Sequence, residues 1–170
     1  MRFCAIAAVS LTLLLSLTGC TFKRKDVRTV QLGEKAVIGP FIYQAYETQW
    51  PISLGSRAAK DRFFIIRLSI LNAGSADTTI PSLEVVDDQG NSFPEQTDGT
   101  GVDGWLGLSR KVGAAQTEQG TIVFDVVPKH YRLRVADESD EFMYIDIPLN
   151  LNSEEPAQKK LEDTAPPPHR

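Results

Sequence analysis

The sequence predicts an all-β protein, an antiparallel β-sandwich of seven to eight strands spanning residues 27–149. Three observations carry this expectation. Short runs alternate apolar and polar residues with a period of two, the spacing of half-buried strands. Turn residues interrupt these runs at short intervals. No long segment shows a helical period. Seven or eight such runs in about 120 residues is the pattern of two packed sheets. A small closed β-barrel produces the same alternation and is the alternative.

Each element has its own warrant. Residues 28–32 open the domain, and residues 36–46 follow, with Gly39-Pro40 placing a bulge or kink inside the run. Residues 62–71 form the clearest strand. Phe64, Ile66, Leu68 and Ile70 share one uniformly apolar face. Phe63, Ile65, Arg67, Ser69 and Leu71 share the other, which turns polar halfway, as in a strand covered at one end. Asn72-Ala73-Gly74 breaks it. Val85-Val86, then Asp87-Asp88-Gln89-Gly90-Asn91, then Phe93, reads as strand, tight turn, strand. Residues 121–127 put Ile122, Phe124 and Val126 on one side and stop at Pro128, which has no N–H to donate. Tyr131, Leu133 and Val135 alternate with Arg132 and Arg134. Met143, Ile145 and Ile147 alternate with Phe142, Tyr144 and Asp146.

The chain outside 27–149 reads differently. Arg2 precedes an uncharged stretch over residues 3–17, too short for the roughly 20 residues of a spanning helix and laid out as a secretory signal peptide. Leu17-Thr18-Gly19-Cys20 follows it and resembles the bacterial lipobox, whose cysteine is acylated and becomes the first mature residue. That resemblance makes residues 1–19 a lipoprotein signal peptide. Residues 20–26 become a lipidated cysteine and tether, carrying Lys23, Arg24 and Lys25 as a solvated charged run. Six tether residues reach at most about 20 Å, so the domain is expected close to the membrane. Thr21, rather than Asp, after Cys20 implies the outer membrane in a Gram-negative cell. Cys4 leaves with the signal and Cys20 carries the lipid, so no mature cysteine is left for a disulfide. The only prosthetic group expected is that covalent lipid. Residues 150–170 hold prolines and charges with few apolar side chains, and are expected to form a disordered tail.

The order of landmarks resembles an immunoglobulin-like domain of bacterial secreted proteins and lipoproteins. It is similar to the family of the mycobacterial secreted immunoprotective antigen. The landmarks are Val30-Gln31-Leu32-Gly33-Glu34, the long strand 62–71 closed by Asn72-Ala73-Gly74, the run 83–90 before a hairpin, and residues 120–128. The resemblance implies an immunoglobulin-like sandwich over roughly residues 30–148, and it brings no catalytic residues. One departure is visible: Lys111-Val112-Gly113-Ala114-Ala115 stands where the family often has a Pro-Gly turn.

Composition narrows the chemistry. With 42% hydrophobic and 24% charged residues the chain is neither wholly disordered nor a multi-span membrane protein. A net charge of −4 argues against a nucleic-acid surface. Removing residues 1–19 takes one base and no acid, so 17 bases and 22 acids remain, a net −5. His130 sits in a turn and His169 in the tail, which is no basis for a catalytic triad. No catalytic residue is expected. After processing only Met143 remains, too little for a copper carrier. The acidic run Asp137, Glu138, Asp140 and Glu141 reads as a solvated loop.

The loop from Pro94 to Gly107 draws most attention, because structureless loops of about 12 residues or more are often functional. Asp98, Asp103 and Trp105 lie on it, and Trp50 lies on a second loop. Exposed indoles there would stack on sugars or anchor a partner, whereas buried ones would cap the ends of the core. Asp98 and Asp103 offer a weak calcium alternative without EF-hand spacing. No metal site is otherwise expected. The expected role is a lipid-anchored, non-catalytic module at the cell envelope, bound to the membrane through its lipid and to an envelope protein partner. A small-ligand module for glycan or calcium, using the 94–107 loop, is the alternative. Replacing Cys20 by alanine tests the anchor: the wild-type protein carries an acylated mature N-terminus by mass spectrometry, and the variant does not.

Overall fold

The computed structural model describes residues 27–139 and 141–151. The expected signal peptide, Cys20, the expected tether and almost all of the expected tail lie outside the described residues. Within them the chain forms thirteen strands and no helix.

In chain order these are β1 (Thr29–Gln31), β2 (Ala36–Ile38), β3 (Phe41–Gln49), β4 (Ser53–Leu54), β5 (Arg57–Ala58), β6 (Phe63–Asn72), β7 (Thr78–Ile80), β8 (Glu84–Val86), β9 (Ser92–Pro94), β10 (Arg110–Val112), β11 (Thr117–Asp125), β12 (Tyr131–Ala136) and β13 (Phe142–Ile147). One sheet has the order β1-β13-β12-β8-β9, and the other β11-β6-β3-β2. Short pairs β7–β10 and β4–β5 flank them. Neither large sheet closes on itself, so the architecture is a sandwich and not the barrel alternative. The expected strands are all present. The excess over eight comes from two-to-three-residue strands that give too little alternation to read, and from a division of residues 36–46.

That division replaces the expected bulge at Gly39-Pro40. Ile38 pairs with Phe41, so Gly39 and Pro40 form a two-residue hairpin turn, with Gly39 at a φ of 50°. A positive φ followed by proline is the dihedral pattern of a type II′ turn. The bulge falls later, where the β3–β6 register slips between Ala45 and Glu47. One pairing also departs from the antiparallel plan: β1 runs parallel to β13, with Thr29 opposite Tyr144 and Gln31 opposite Asp146.

The core follows the alternation. Phe64, Ile66, Leu68 and Ile70 of β6 are fully buried against Tyr131, Leu133, Val135 and Ile145 from the facing sheet. Each such side chain contributes about 1.5–3 kcal/mol of burial. Trp50 stacks on Phe64 at 4.0 Å between ring centroids and 8° between planes. Tyr131 lies 5.9 Å from Phe64, and its hydroxyl donates to the Val127 carbonyl at 2.9 Å. That bond ties the start of β12 to the corner before it, as in a tyrosine corner. The second face of β6 is covered at one end, as its pattern predicts: Phe63 and Ile65 pack with Leu54 and Val123 into a smaller cluster. Arg67, Ser69 and Leu71 beyond them are only half-buried.

Asn72, fully buried, explains the break after β6. Its amide donates to the carbonyls of Ala76 at 2.8 Å and Val112 at 3.1 Å, and its side-chain oxygen accepts from Gly74 N. One side chain thus closes the turn and ties it to the end of β10. The departure at 111–115 is also resolved. Gln116 N donates to the Gly113 carbonyl at 3.1 Å, and Ala115 takes the left-handed conformation at a φ of 57° that a glycine would take without strain. Ala115→Gly is therefore expected to raise stability by about 0.5–1 kcal/mol, net of the entropy glycine adds to the unfolded chain, measured by urea denaturation.

Candidate functional site

The 94–107 loop is built along the free edge of β11. Gln96 N donates to the Val123 carbonyl at 2.7 Å, Leu106 N to the Thr121 carbonyl at 3.1 Å, and Thr121 N to the Gly104 carbonyl at 2.8 Å. Trp105 forms a parallel bridge with Thr121. An edge strand left bare would offer its backbone to other chains, and the loop removes that hazard. Arg110 closes the base of the loop. It donates to the Gly107 carbonyl at one end and forms a buried ion pair with Glu95 at the other. Glu95 also accepts from Leu83 N at 2.9 Å. Close approach depends on Gly120, where a Cβ would lie 2.4 Å from the Gly104 carbonyl oxygen.

The residues singled out in the sequence separate on this scaffold. Trp50 is 1% exposed in the main core, so of its two readings the buried one holds, and with no face for an external ligand it leaves the candidate binding set. Apolar surface on both sheets claims it first. Trp105 is half-buried and lies on Gly99, whose absent Cβ would fall 1.9 Å from its Cδ2. Asp98 is engaged within the loop. It accepts from Thr100 N at 2.8 Å, and its carboxylate lies 3.4 Å from the Arg57 guanidinium. Hydrogen bonds from Thr100, then Arg57, hold its carboxyl below the usual carboxylate range. Among the described residues no three acidic, histidine or cysteine side chains gather as a metal set.

Asp103 is exposed and lines a cavity. A groove of about 300 Å³ runs between the loop and the outer face of the β11-β6-β3-β2 sheet. Tyr46, Arg67, Asp103, Gln119 and Thr121 line it. Tyr46 is at the bulge in β3 and is 46% exposed. Arg67 pairs with Glu47 at 3.5 Å. An adjoining depression of about 160 Å³ shares Arg67, Asp103 and Thr121 and adds Pro51, Leu54, Ile65 and Val102. The wall is preset: the Thr121 hydroxyl donates to the Asp103 carbonyl at 2.9 Å. Tyr46, Arg67 and Gln119 are strand residues that a search confined to loops overlooks. The signal for Tyr46 is a change of phase, since Phe41, Tyr43 and Ala45 point inward before it and Thr48 and Trp50 after it.

Two acidic features take structural roles. Asp137, expected in a solvated loop, is buried. It accepts from Ser139 N at 2.9 Å and Glu141 N at 3.2 Å, closing the turn between β12 and β13. His130 is one-third exposed and held between Asp88 at 2.8 Å and Asp146 at 2.9 Å. Both ring nitrogens are engaged, so neither is available to a nucleophile. Nearby, a hydrogen bond from Lys129 at 2.7 Å and others from Asn91 hold the Asp87 carboxyl far below its ordinary range.

No family model matches the chain, and no curated protein matches it. Solved structures do. The yjhA protein of Bacillus subtilis superimposes with a TM-score of 0.56 at 15% identity, over 69% of this chain and 98% of that one. A candidate lipoprotein of the same organism, ycdA, gives 0.55 at 9% identity, over 68% of this chain and 38% of that one. The secreted protein MPT63 of Mycobacterium tuberculosis gives 0.53 at 11% identity, over 70% and 96%. At these identities the likeness shows a shared fold, the one the mycobacterial resemblance implies.

His130 supplies a pH test. Partial burial works to lower its pKa, but hydrogen bonds to Asp88 and Asp146 and their charges outweigh it and raise it. The stabilisation is then fully present below the ordinary value near 6.5 and lost as pH rises through the higher folded value. Denaturation across that window should show stability falling toward alkaline pH by less than about 1 kcal/mol, given the exposure of the pair. His130→Gln should flatten that slope.

Proposed function

We propose that the protein is a non-catalytic binding module held at the cell envelope by a lipid on Cys20, and that the groove between the 94–107 loop and the outer sheet face is its binding surface. The observation that carries this reading is the groove itself. A loop of this length is pinned along β11 by backbone hydrogen bonds and clamped by a buried ion pair, yet leaves Tyr46, Arg67, Asp103 and Gln119 accessible. Preformed concave sites with a few placed polar groups are the usual form of recognition surfaces. The lipobox supplies the location. The secreted and candidate lipoprotein structures of the same fold accord with an extracytoplasmic setting. Among the described residues the one histidine is tied to two carboxylates, which favours binding over acid–base catalysis.

Site-specific photo-crosslinking in intact cells tests the reading. A benzophenone amino acid at position 46 should trap an envelope component. The same group at Lys111, an exposed residue of β10 on a different strand pair, should not. Identical adducts from both positions, or none from position 46, would remove the groove as the binding surface.

A further inference from the structure

We infer that the first three residues of β11, Thr117 to Gln119, take an extended basic segment of a partner protein as an added strand. This rests on the reading of the groove as a binding surface, since Gln119 lines that groove, and it adds the chemical class and the binding mode of the occupant.

Backbone direction comes first. Thr121 and Val123 turn their peptide groups to the free edge of β11, where Gly104, Leu106 and Gln96 meet them. Even-numbered residues turn the other way, toward β6: Asn72 N donates to the Gln116 carbonyl at 2.9 Å, and the register then sets Glu118 opposite Ile70. In a strand these directions alternate from residue to residue. Thr117 and Gln119 therefore present N–H and C=O to the same free edge as Thr121. The 94–107 loop removes the hazard of a bare edge where it lies, at Thr121 and Val123, and stops short of these two residues. β10, joined to β11 through the 113–116 turn, pairs with β7 instead. Among the described residues no backbone partner meets the outward groups of Thr117 and Gln119, and residues 117–119 are all exposed. Such an edge is a template for a further strand. Main-chain bonds then supply the affinity, and alternate side chains the selectivity.

Side-chain chemistry selects the occupant. Paired residues of neighbouring strands point to the same face. A residue opposite Gln119 thus lies on the outer face, at the groove that Gln119 shares with Asp103. A residue opposite Glu118 lies on the other face, beside that carboxylate. Arg67 already has Glu47 at 3.5 Å. Asp103 and Glu118 are exposed, and neither forms an ion pair among the described residues. Both directions open to an added strand therefore meet an uncompensated acid, which favours arginine or lysine and disfavours aspartate or glutamate. The same charges argue against a second copy of this chain. Antiparallel pairing of two such edges about a two-fold axis would set Glu118 opposite Glu118, and like charges directly opposite are destabilising. The ladder is short and its acids are exposed, so binding is weak and salt-sensitive, with a dissociation constant of about 0.1–1 mM.

The test is two-dimensional NMR with amide hydrogen exchange on residues 21–170, which hold the whole described fold. Two capped octapeptides are the probes: one alternates valine with arginine, the other valine with glutamate. The arginine peptide should shift the amides of residues 117–119 and Asp103. Exchange at Thr117 and Gln119 should slow by up to about tenfold at nine-tenths saturation, because only the free fraction exchanges. Exchange at Glu118, whose N–H faces β6, should stay unchanged. The glutamate peptide should bind at least about tenfold more weakly. Glu118→Lys should weaken the arginine peptide by at least about fivefold at low salt. Gln119→Pro removes an outward N–H and spares the β6 ladder, so it should abolish the exchange effect. The thermal midpoint of each variant checks that the fold is kept. Equal binding of both peptides, shifts without slowed exchange at Thr117 and Gln119, or binding untouched by Glu118→Lys would overturn the assignment. Slowed exchange at those two amides without peptide, growing with protein concentration, would make the occupant a second copy and overturn it as well. Failure of both peptides also overturns it, and crosslinks from position 46 would then leave the groove as a binding surface with a different occupant.

Discussion

β11 is an edge strand, and the way its open edge is satisfied governs much of what surrounds it. Backbone N–H and C=O groups at an edge must be paired or exposed to other chains. Here the chain pairs them itself, through Gln96, Gly104 and Leu106. Once the 94–107 loop lies along β11, its crown reaches back over the outer face. Phe63, Ile65 and Val123 are then buried with Val102 packed against them, and Arg57 meets Asp98. The groove is what remains where the loop turns back before the polar half of β6.

Holding such a loop requires an anchor at its base, and the anchor is ionic. Glu95 and Arg110 are both buried, and each has a backbone partner as well as the other's charge. A buried pair of this kind adds little net stability over a hydrophobic pair, but loss of either member strands a charge at a cost of about 3–5 kcal/mol.

The sandwich was legible because its determinants are local. Alternation in β6, β12 and β13, and the stop at Pro128, each follow from a few adjacent residues. The half-covered second face of β6 could be read as well, since its polar half begins at Arg67. The short strands β4, β5, β7 and β10 could not, because two or three residues carry no period. Trp50 does lie just past the end of β3, before a proline, but its stacking on Phe64 is a contact between elements that sequence spacing does not show. The groove was hidden for the same reason. It combines Asp103 from a loop with Tyr46, Arg67 and Gln119 from three strands, and a one-residue register slip decides that Tyr46 faces outward. Asn72 was read as a breaker, which it is, but its bonds to β10 depend on a strand too short to foresee.

The parallel pairing of β1 with β13 has a mechanical meaning. Because the strands run in the same direction, the chain enters β1 at one end of the pair and leaves β13 at the other. A pull between residues 27 and 151 therefore acts along the strands in opposite senses. The bonds from Tyr144 N to the Arg28 carbonyl and from Leu32 N to the Asp146 carbonyl are then loaded together and must fail in shear. An antiparallel pair joined at the same ends would unzip one bond at a time. A domain drawn taut between its two ends would resist through this edge before its core felt the strain.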